Sequence, residues 1–351
     1  MTRSLISAAF VFLISMSFAA DVPRMIGFER GGTVWVAKLD GTGAKKIATG
    51  SAPDISPDGT RLAFTHTAGK DGAERRIAFA DIATGKVTVF KNQIPSDNCF
   101  RPVWSPDGTQ LLFNIFTDSD WHLGLVSADG TGFRYLKKAA PQHNSFWSSC
   151  WAPDGRSLYV QELTKIYKIG TDGTELKSWP IEGLVPKGSF SSASQFAVSP
   201  DGGTLLMGAE IDEPIKRKDW EGPLPTLWTM DLATQKTRRL TPIGFFAWEG
   251  RWLSAEEIIF ASQADNEKEP SLHRMTLARQ RAEANPQKGK LTERVAVNIE
   301  SSQFSPGNVE RREGRTCTRP CANVCVQPAM RGSRSARRTR ACSSTVRAGD
   351  S

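Results

Sequence analysis

The chain has 351 residues, a formal charge of +8 and a hydrophobic share of 39%, which is room for one large core or two smaller ones. The charge does not mark a nucleic-acid binder. Residues 307–351 hold ten Arg against three acids, so the rest of the chain is close to neutral.

The first residues read as a secretory signal over 1–19. Arg3 supplies the charged start, Leu5 to Ile14 the short apolar run, and Ser17 and Ala19 the small residues before a cleavage site. The run is too short for a spanning helix, no Cys follows the cleavage position to carry a lipid, and no later segment is apolar enough to span a bilayer. The expectation is a soluble protein, periplasmic or secreted, without a transmembrane segment.

The body of the chain repeats. "ISPDGTRLAF" begins at Ile55, "WSPDGTQLLF" at Trp104, "WAPDGRSLYV" at Trp151 and "VSPDGGTLLM" at Val198; a worn copy begins at Leu253 and a truncated one at Phe304. The spacings run from 47 to 55 residues. In each copy an apolar residue ends one strand, Pro presets the first turn position, Asp suits the second, Gly accepts a left-handed backbone, and an alternating apolar strand follows. A second hairpin recurs between the copies, at Asp40-Gly41, Thr84-Gly85, Asp129-Gly130 and Asp172-Gly173. Each unit is therefore four short strands, A to D, which is the period of a propeller blade.

Strand A is expected near residues 51–55, 100–104, 147–151, 194–198, 249–253 and 300–304. The B-C-D sets are expected near 25–48, 60–90, 109–137, 156–179, 203–240 and 256–292. The first set lacks a preceding A and the last A lacks a following set. Joining them closes a ring of six blades and removes the exposed edges of an open array. The expected fold is all-β: a six-bladed β-propeller over 24–306, closed by a C-terminal strand pairing with the N-terminal blade. Residues 307–351 contain no Leu, Ile, Phe, Trp, Tyr or Lys and cannot form a core. They are expected to be a disordered or frameshifted Arg/Cys-rich tail. Cys317, Cys321 and Cys325 lack the CxxC pairing or His of a metal site.

With these residues in view, the chain resembles the TolB-like propellers. "WSPDGT…LLF" and "SADGTGFRYL" are similar to their blade signature, and "FSP" to the end of their closing strand. The resemblance covers about residues 24–306. It implies a six-bladed ring and a scaffold that binds a protein or peptide partner in the cell envelope.

Blade geometry puts the D-to-A and B-to-C connections on one face and the tight A-to-B and C-to-D turns on the other. The long loops 67–75, 91–98, 138–146, 180–193, 210–225 and 241–248 fall on the first face, where binding is expected, and 279–290 is the exception on the second. At its central mouth stand Asn98, Arg101, His143, Asn144, Trp147, Gln195, Trp248 and Glu249, a ring of aromatic and hydrogen-bonding groups suited to a peptide or sugar. Trp147 and Trp248 could equally pack between blades, and Arg101 and Glu249 could pair. Trp104 and Trp151 are assigned to the core.

No G-x-S-x-G elbow or hydrolase domain accompanies the repeats. Of the four His, His66, His122 and His273 fall in strands B and C, and only His143 comes near the mouth, which is weak for a metal site. Asp118 and Asp120 read as a solvated loop. Cys99 and Cys150 stand four residues out of register in adjacent blades, about 13 Å along a strand, too far for a disulfide unless a loop folds back. The chain is thus expected to be a non-catalytic binder without metal or cofactor and without nucleic acid as partner. The alternative is a carbohydrate-active propeller, an oligosaccharide lyase or sugar binder using the central channel.

Overall fold

The computed structural model describes residues 25–69, 72–137, 145–214, 222–263, 270–277 and 290–295. The strands run in the predicted order. Blade 1 is β1 (Met25–Arg30), β2 (Thr33–Lys38) and β3 (Lys45–Thr49). Blade 2 is β4 (Ser51–Ile55), β5 (Arg61–Ala68), β6 (Glu74–Asp81) and β7 (Val87–Val89). Blade 3 is β8 (Cys99–Trp104), β9 (Gln110–Thr117), β10 (Asp120–Ser127) and β11 (Arg134–Lys137). Blade 4 is β12 (Trp147–Trp151), β13 (Ser157–Gln161), β14 (Lys165–Gly170) and β15 (Glu175–Pro180). Blade 5 is β17 (Phe196–Val198), β18 (Thr204–Ile211), β19 (Leu224–Asp231) and β20 (Thr237–Arg239), with a short extra strand, β16 (Gly188–Ser189), on the free edge of β18. Blade 6 is β21 (Phe246–Ser254), β22 (Glu257–Gln263), β23 (Ser271–Thr276) and β24 (Lys290–Val295). Every pairing is antiparallel between consecutive strands, apart from β16.

The second strand of each blade is buried on both faces because a neighbouring blade covers each side. In β9, Leu111 to Ile115 are all buried, whereas the outer strands β3 and β7 are mostly exposed. Six apolar clusters fill the gaps, one between each pair of adjacent blades. Five join successive blades. The sixth joins blade 1, through Ile26, Phe28 and Ala37, to Ile259, Ala261 and Leu272 of blade 6. The ring is closed by this packing. The innermost strand expected for blade 1, at 300–304, lies outside the described residues, as do the signal segment expected over 1–19 and the tail expected over 307–351.

The repeated turn works as its sequence suggests. In "SPDGT", Ser105 Oγ donates to Asp107 Oδ1 at 2.6 Å, Thr109 N donates to the same oxygen at 3.0 Å, and Gly108 adopts φ 70°. Ser56 and Asp58 repeat this at 2.6 Å, and Ser199 and Asp201 at 2.5 Å. In blade 4, where Ala152 replaces the serine, Ser157 Oγ reaches Asp154 instead.

One register assignment is corrected. The sequence repeat puts Leu253 at the end of strand A in the worn fifth copy, but in the structure Trp252 holds that position. It pairs with Ile258 as Trp104 pairs with Leu111, and its indole makes the same bond to the preceding blade. A two-residue turn between Ser254 and Glu257 replaces the longer turn of the other copies and shifts the register beside it.

Candidate functional site

The innermost strands carry the site, and a shared irregularity shapes them. Between Phe100 and Val103, β8 advances three residues while β9 advances two, from Asn114 to Leu112. The same extra residue occurs between Ser51 and Asp54, Trp147 and Cys150, and Trp248 and Arg251. These are β-bulges, which re-aim side chains at the point of insertion. The bulged residues Ala52, Arg101 and Glu249 sit in the left-handed region, with φ of 50°, 57° and 54°. Their neighbours hold them there: Arg101 N donates to Thr65 Oγ1 at 2.9 Å, and Ala52 N donates to the Glu29 carboxyl, each from the blade before. Trp indoles add a second tie between blades. Trp104 Nε1 donates to Asp54 O at 3.1 Å, Trp151 Nε1 to Val103 O at 3.3 Å and Trp252 Nε1 to Ala197 O at 3.0 Å. Trp104 and Trp151 are buried, as their core assignment requires.

At the level of the bulges the structure assembles a charged cluster. Glu249 Oε2 lies 3.3 Å from Arg251 Nη2 and 3.9 Å from Arg101 Nη2, and Glu249 and Arg101 are both buried. Burial pushes the Glu249 carboxyl upward against the pull of the two guanidiniums. Asp54, which accepts from Trp104 N at 2.8 Å, is raised by burial to about 6. Glu29 is raised by burial to about 8, with the Glu249 charge adding to the rise.

A cavity of about 330 Å3 runs from this cluster along the axis. Among the described residues its walls come from the five innermost strands β4, β8, β12, β17 and β21, from Ala52 and Arg101 at one end to Pro57 and Pro200 of the tight turns at the other. Asp54, Ser149, Cys150 and Arg251 line it between.

The eight expected mouth residues divide. Arg101 and Glu249 meet as a buried pair. Trp147 packs on Ala52, Phe100 and Trp121, and Trp248 stands edge-on to Phe246 with centroids 4.9 Å apart. Both indoles are partly exposed, yet both Nε1 atoms are buried without a partner. Gln195 is buried; its Nε2 donates to Ala193 O at 3.3 Å while its Oε1 has no partner. Asn98 accepts from Arg75 Nη2 and bridges to Arg75 through the backbone. His143 and Asn144 lie outside the described residues. Beside the predicted set, Gln161 Oε1, Glu29 Oε2 and Ser262 Oγ are also buried without partners.

Sequence reasoning missed Asp54, Arg251, Ser149 and Glu29. A signal for two of them was present. Asp54 and Arg251 occupy the same blade position as Val103, Cys150 and Ala197, so they are charges in an otherwise uncharged column. The one-residue misalignment at Leu253 hid Arg251 from that comparison. Cys99 and Cys150 are free and buried, with thiols pushed up by burial to about 12, which makes them inert. His66, His122 and His273 lie in β5, β10 and β23, none of them an innermost strand. Among the described residues no group of three or more His, Cys, Asp or Glu could hold a metal. Nor is any helix of the described residues long and apolar enough to cross a membrane.

No family model matches the chain. It is 32% identical over 146 residues to the TolB homolog of Chlorobaculum tepidum, a match covering 36% of this chain and about a third (32%) of that relative. Among solved structures it is similar to TolB from Acinetobacter baumannii, with a TM-score of 0.52 at 16% identity, over 72% of this chain and 60% of that one. It is also similar to a putative TolB from Agrobacterium tumefaciens, with a TM-score of 0.51 at 15% identity, over 72% of this chain and 84% of that one. The fold is a six-bladed propeller, and the chain is similar to TolB proteins, matching about a third of the length of the curated relative.

Proposed function

We propose that this TolB-like propeller is an exported, non-catalytic scaffold that binds a protein or peptide partner of the cell envelope at its long-loop face. The observation that carries the reading is a set of buried, unpartnered polar atoms at the long-loop ends of β12, β13 and β21 and just before β17: Trp147 Nε1, Gln161 Oε1, Trp248 Nε1 and Gln195 Oε1. Native proteins leave few buried polar atoms unpaired, and here both donors and acceptors remain. Donors and acceptors together, beside two partly exposed indoles, suit an extended peptide, whose backbone offers both kinds of group. Export to the periplasm rests on the charged and apolar start of the chain and on the TolB likeness.

The test uses the purified chain as bait in a periplasmic and outer-membrane extract at two salt concentrations. A specific retained protein should be lost with Trp147→Ala or Trp248→Ala, by at least tenfold in affinity once the partner is in hand. Retention unaffected by either change would refute the long-loop face. A carbohydrate-active propeller would need His and basic groups converging on the channel. Its one supporting observation is that Arg101 and Arg251 both line the axial cavity.

A further inference from the structure

The long-loop face carries a further feature where blades 2 and 3 meet. Arg75 stands at the start of β6 and Asn98 just before β8. Arg75 Nη2 donates to Asn98 Oδ1, Arg75 N donates to Asp97 O at 2.7 Å, and a parallel bridge joins Arg75 to Asn98. The guanidinium also lies over two rings, 5.6 Å from the centroid of Phe100 and 5.5 Å from that of Trp121. Phe100 and Trp121 belong to the apolar cluster against which Trp147 packs. Arg75 is thus fixed beside one of the proposed peptide contacts. Its charge is not matched. Arg76, Arg101, Arg239, Arg251 and Arg274 each pair with a Glu, whereas half-buried Arg75 pairs with no acid among the described residues. Glu74 is taken by Arg76 at 3.1 Å, Asp120 Oδ1 accepts from Ser145 Oγ at 3.2 Å, and Asp97 is exposed. Burial works against the charged form of Arg75 and lowers its pKa. Among the described residues Nε and Nη1 of Arg75 and Nδ2 of Asn98 make no hydrogen bond, and none of the three is closed to solvent.

We propose that Arg75 and Asn98 form a carboxylate-binding site at the rim of the mouth, where the peptide partner presents an acidic group. The identity of the ligand rests on the peptide reading above; the site itself rests on the geometry of these two residues. A guanidinium already held by two rings and an amide has little rotamer freedom left to lose on binding. Nδ2 of Asn98 shares its amide with the oxygen that Arg75 reaches, so it lies next to the guanidinium. The two groups can donate to one carboxylate, and a bond between ionised groups is about twice as strong as a neutral one. A neutral amide in the same place would bring no countercharge. The acid is either an Asp or Glu side chain or the C-terminus of the peptide. Both sources share the carboxylate, and the test separates them.

The full chain would be titrated with three capped amino acids and followed by proton–nitrogen NMR at the Arg75 Nε–H, assigned by its loss in Arg75→Gln. The probes are N-acetylglutamate N-methylamide, with its one carboxylate on the side chain, N-acetylalanine, with its one carboxylate at the chain end, and the neutral N-acetylglutamine N-methylamide. At least one acid should shift the Arg75 resonance saturably, and the neutral probe should bind at least tenfold more weakly. The tighter of the two acids identifies the source. In Arg75→Gln the accompanying shift of the Asn98 side-chain amide should vanish. Asn98→Asp keeps the acceptor for Arg75 and sets a carboxylate against it. It should weaken the acid at least tenfold while keeping at least the wild-type melting temperature. No saturable shift with either acid up to about 50 mM, or equal affinity for acid and neutral probe, would overturn the proposal. So would full affinity in Asn98→Asp. The titration needs no partner, so its failure and the failure of the bait experiment are separate results.

Discussion

Glu29 is 5% exposed, accepts the Ala52 N–H and has its carboxyl raised to about 8 by burial. Near pH 7 it is therefore mostly protonated in the fold and ionised in the unfolded chain. Between its ordinary value near 4.5 and about 8 the folded state binds more protons, so stability falls as pH rises through that window. Asp54, raised to about 6, adds to the fall at the acidic end. Chemical denaturation at pH 5 and pH 8 should differ by roughly 2–4 kcal/mol in favour of pH 5. Glu29→Gln, which keeps the shape and the acceptor without the charge, should remove most of that slope. A flat profile in the wild type would refute the buried, protonated carboxyl. A second residue-scale expectation concerns Trp104. Replacing it by Phe loses the bond from Nε1 to Asp54 O but keeps a buried ring, and should lower stability by about 1 kcal/mol in urea melts.

The repeated turn and the repeated bulge belong to the scale of the element. Asp107 accepts from Ser105 Oγ and from both N and Oγ of Thr109. The Ser105 bond, then those of Thr109, hold its carboxyl below the usual range. Asp107→Ala should destabilise by about 1–2 kcal/mol, and the matching change at Asp58 by a similar amount, because the two turns share their bonds. Measured melts that separate the two would show that position in the ring matters more than the turn itself. The bulge has a different logic. A left-handed backbone at a non-glycine costs about 1–2 kcal/mol, and at Arg101 and Ala52 a bond from the preceding blade offsets it. The turn was legible in the sequence because its residues have strong local preferences. The bulge was not, because Ala52, Arg101 and Glu249 have no common local preference for that conformation and the holding groups come from another blade.

At the scale of the whole molecule, ring closure rests on the packing of blade 1 against blade 6. Phe28 is fully buried at that junction, with Ile259, Ala261 and Leu272 around it. Phe28→Ala should cost about 3–5 kcal/mol and, by loosening the junction, should speed hydrogen exchange in β1 and β22 more than in β9. Uniform acceleration across all blades would mean that the ring opens only by global unfolding. Closure explains why the first blade needs no cap of its own: its apolar face is covered by the last blade, as every other face is covered by the next.

The six-bladed architecture and the limits of the described strands, to within a few residues, follow from the chain's own pattern. Pro, Asp and Gly at fixed offsets dictate turns locally, and a period of about 47 residues leaves one architecture that buries every blade. What the axis holds was decided only by the fold. Arg101 and Glu249 read as mouth residues, but the bulges turn them into a buried pair. Arg251, Asp54 and Ser149, distant in sequence, meet around one cavity because the innermost strands of blades 2 to 6 converge there. Side chains that act together across an axis are joined by the ring's geometry, and no local preference in the sequence records that meeting.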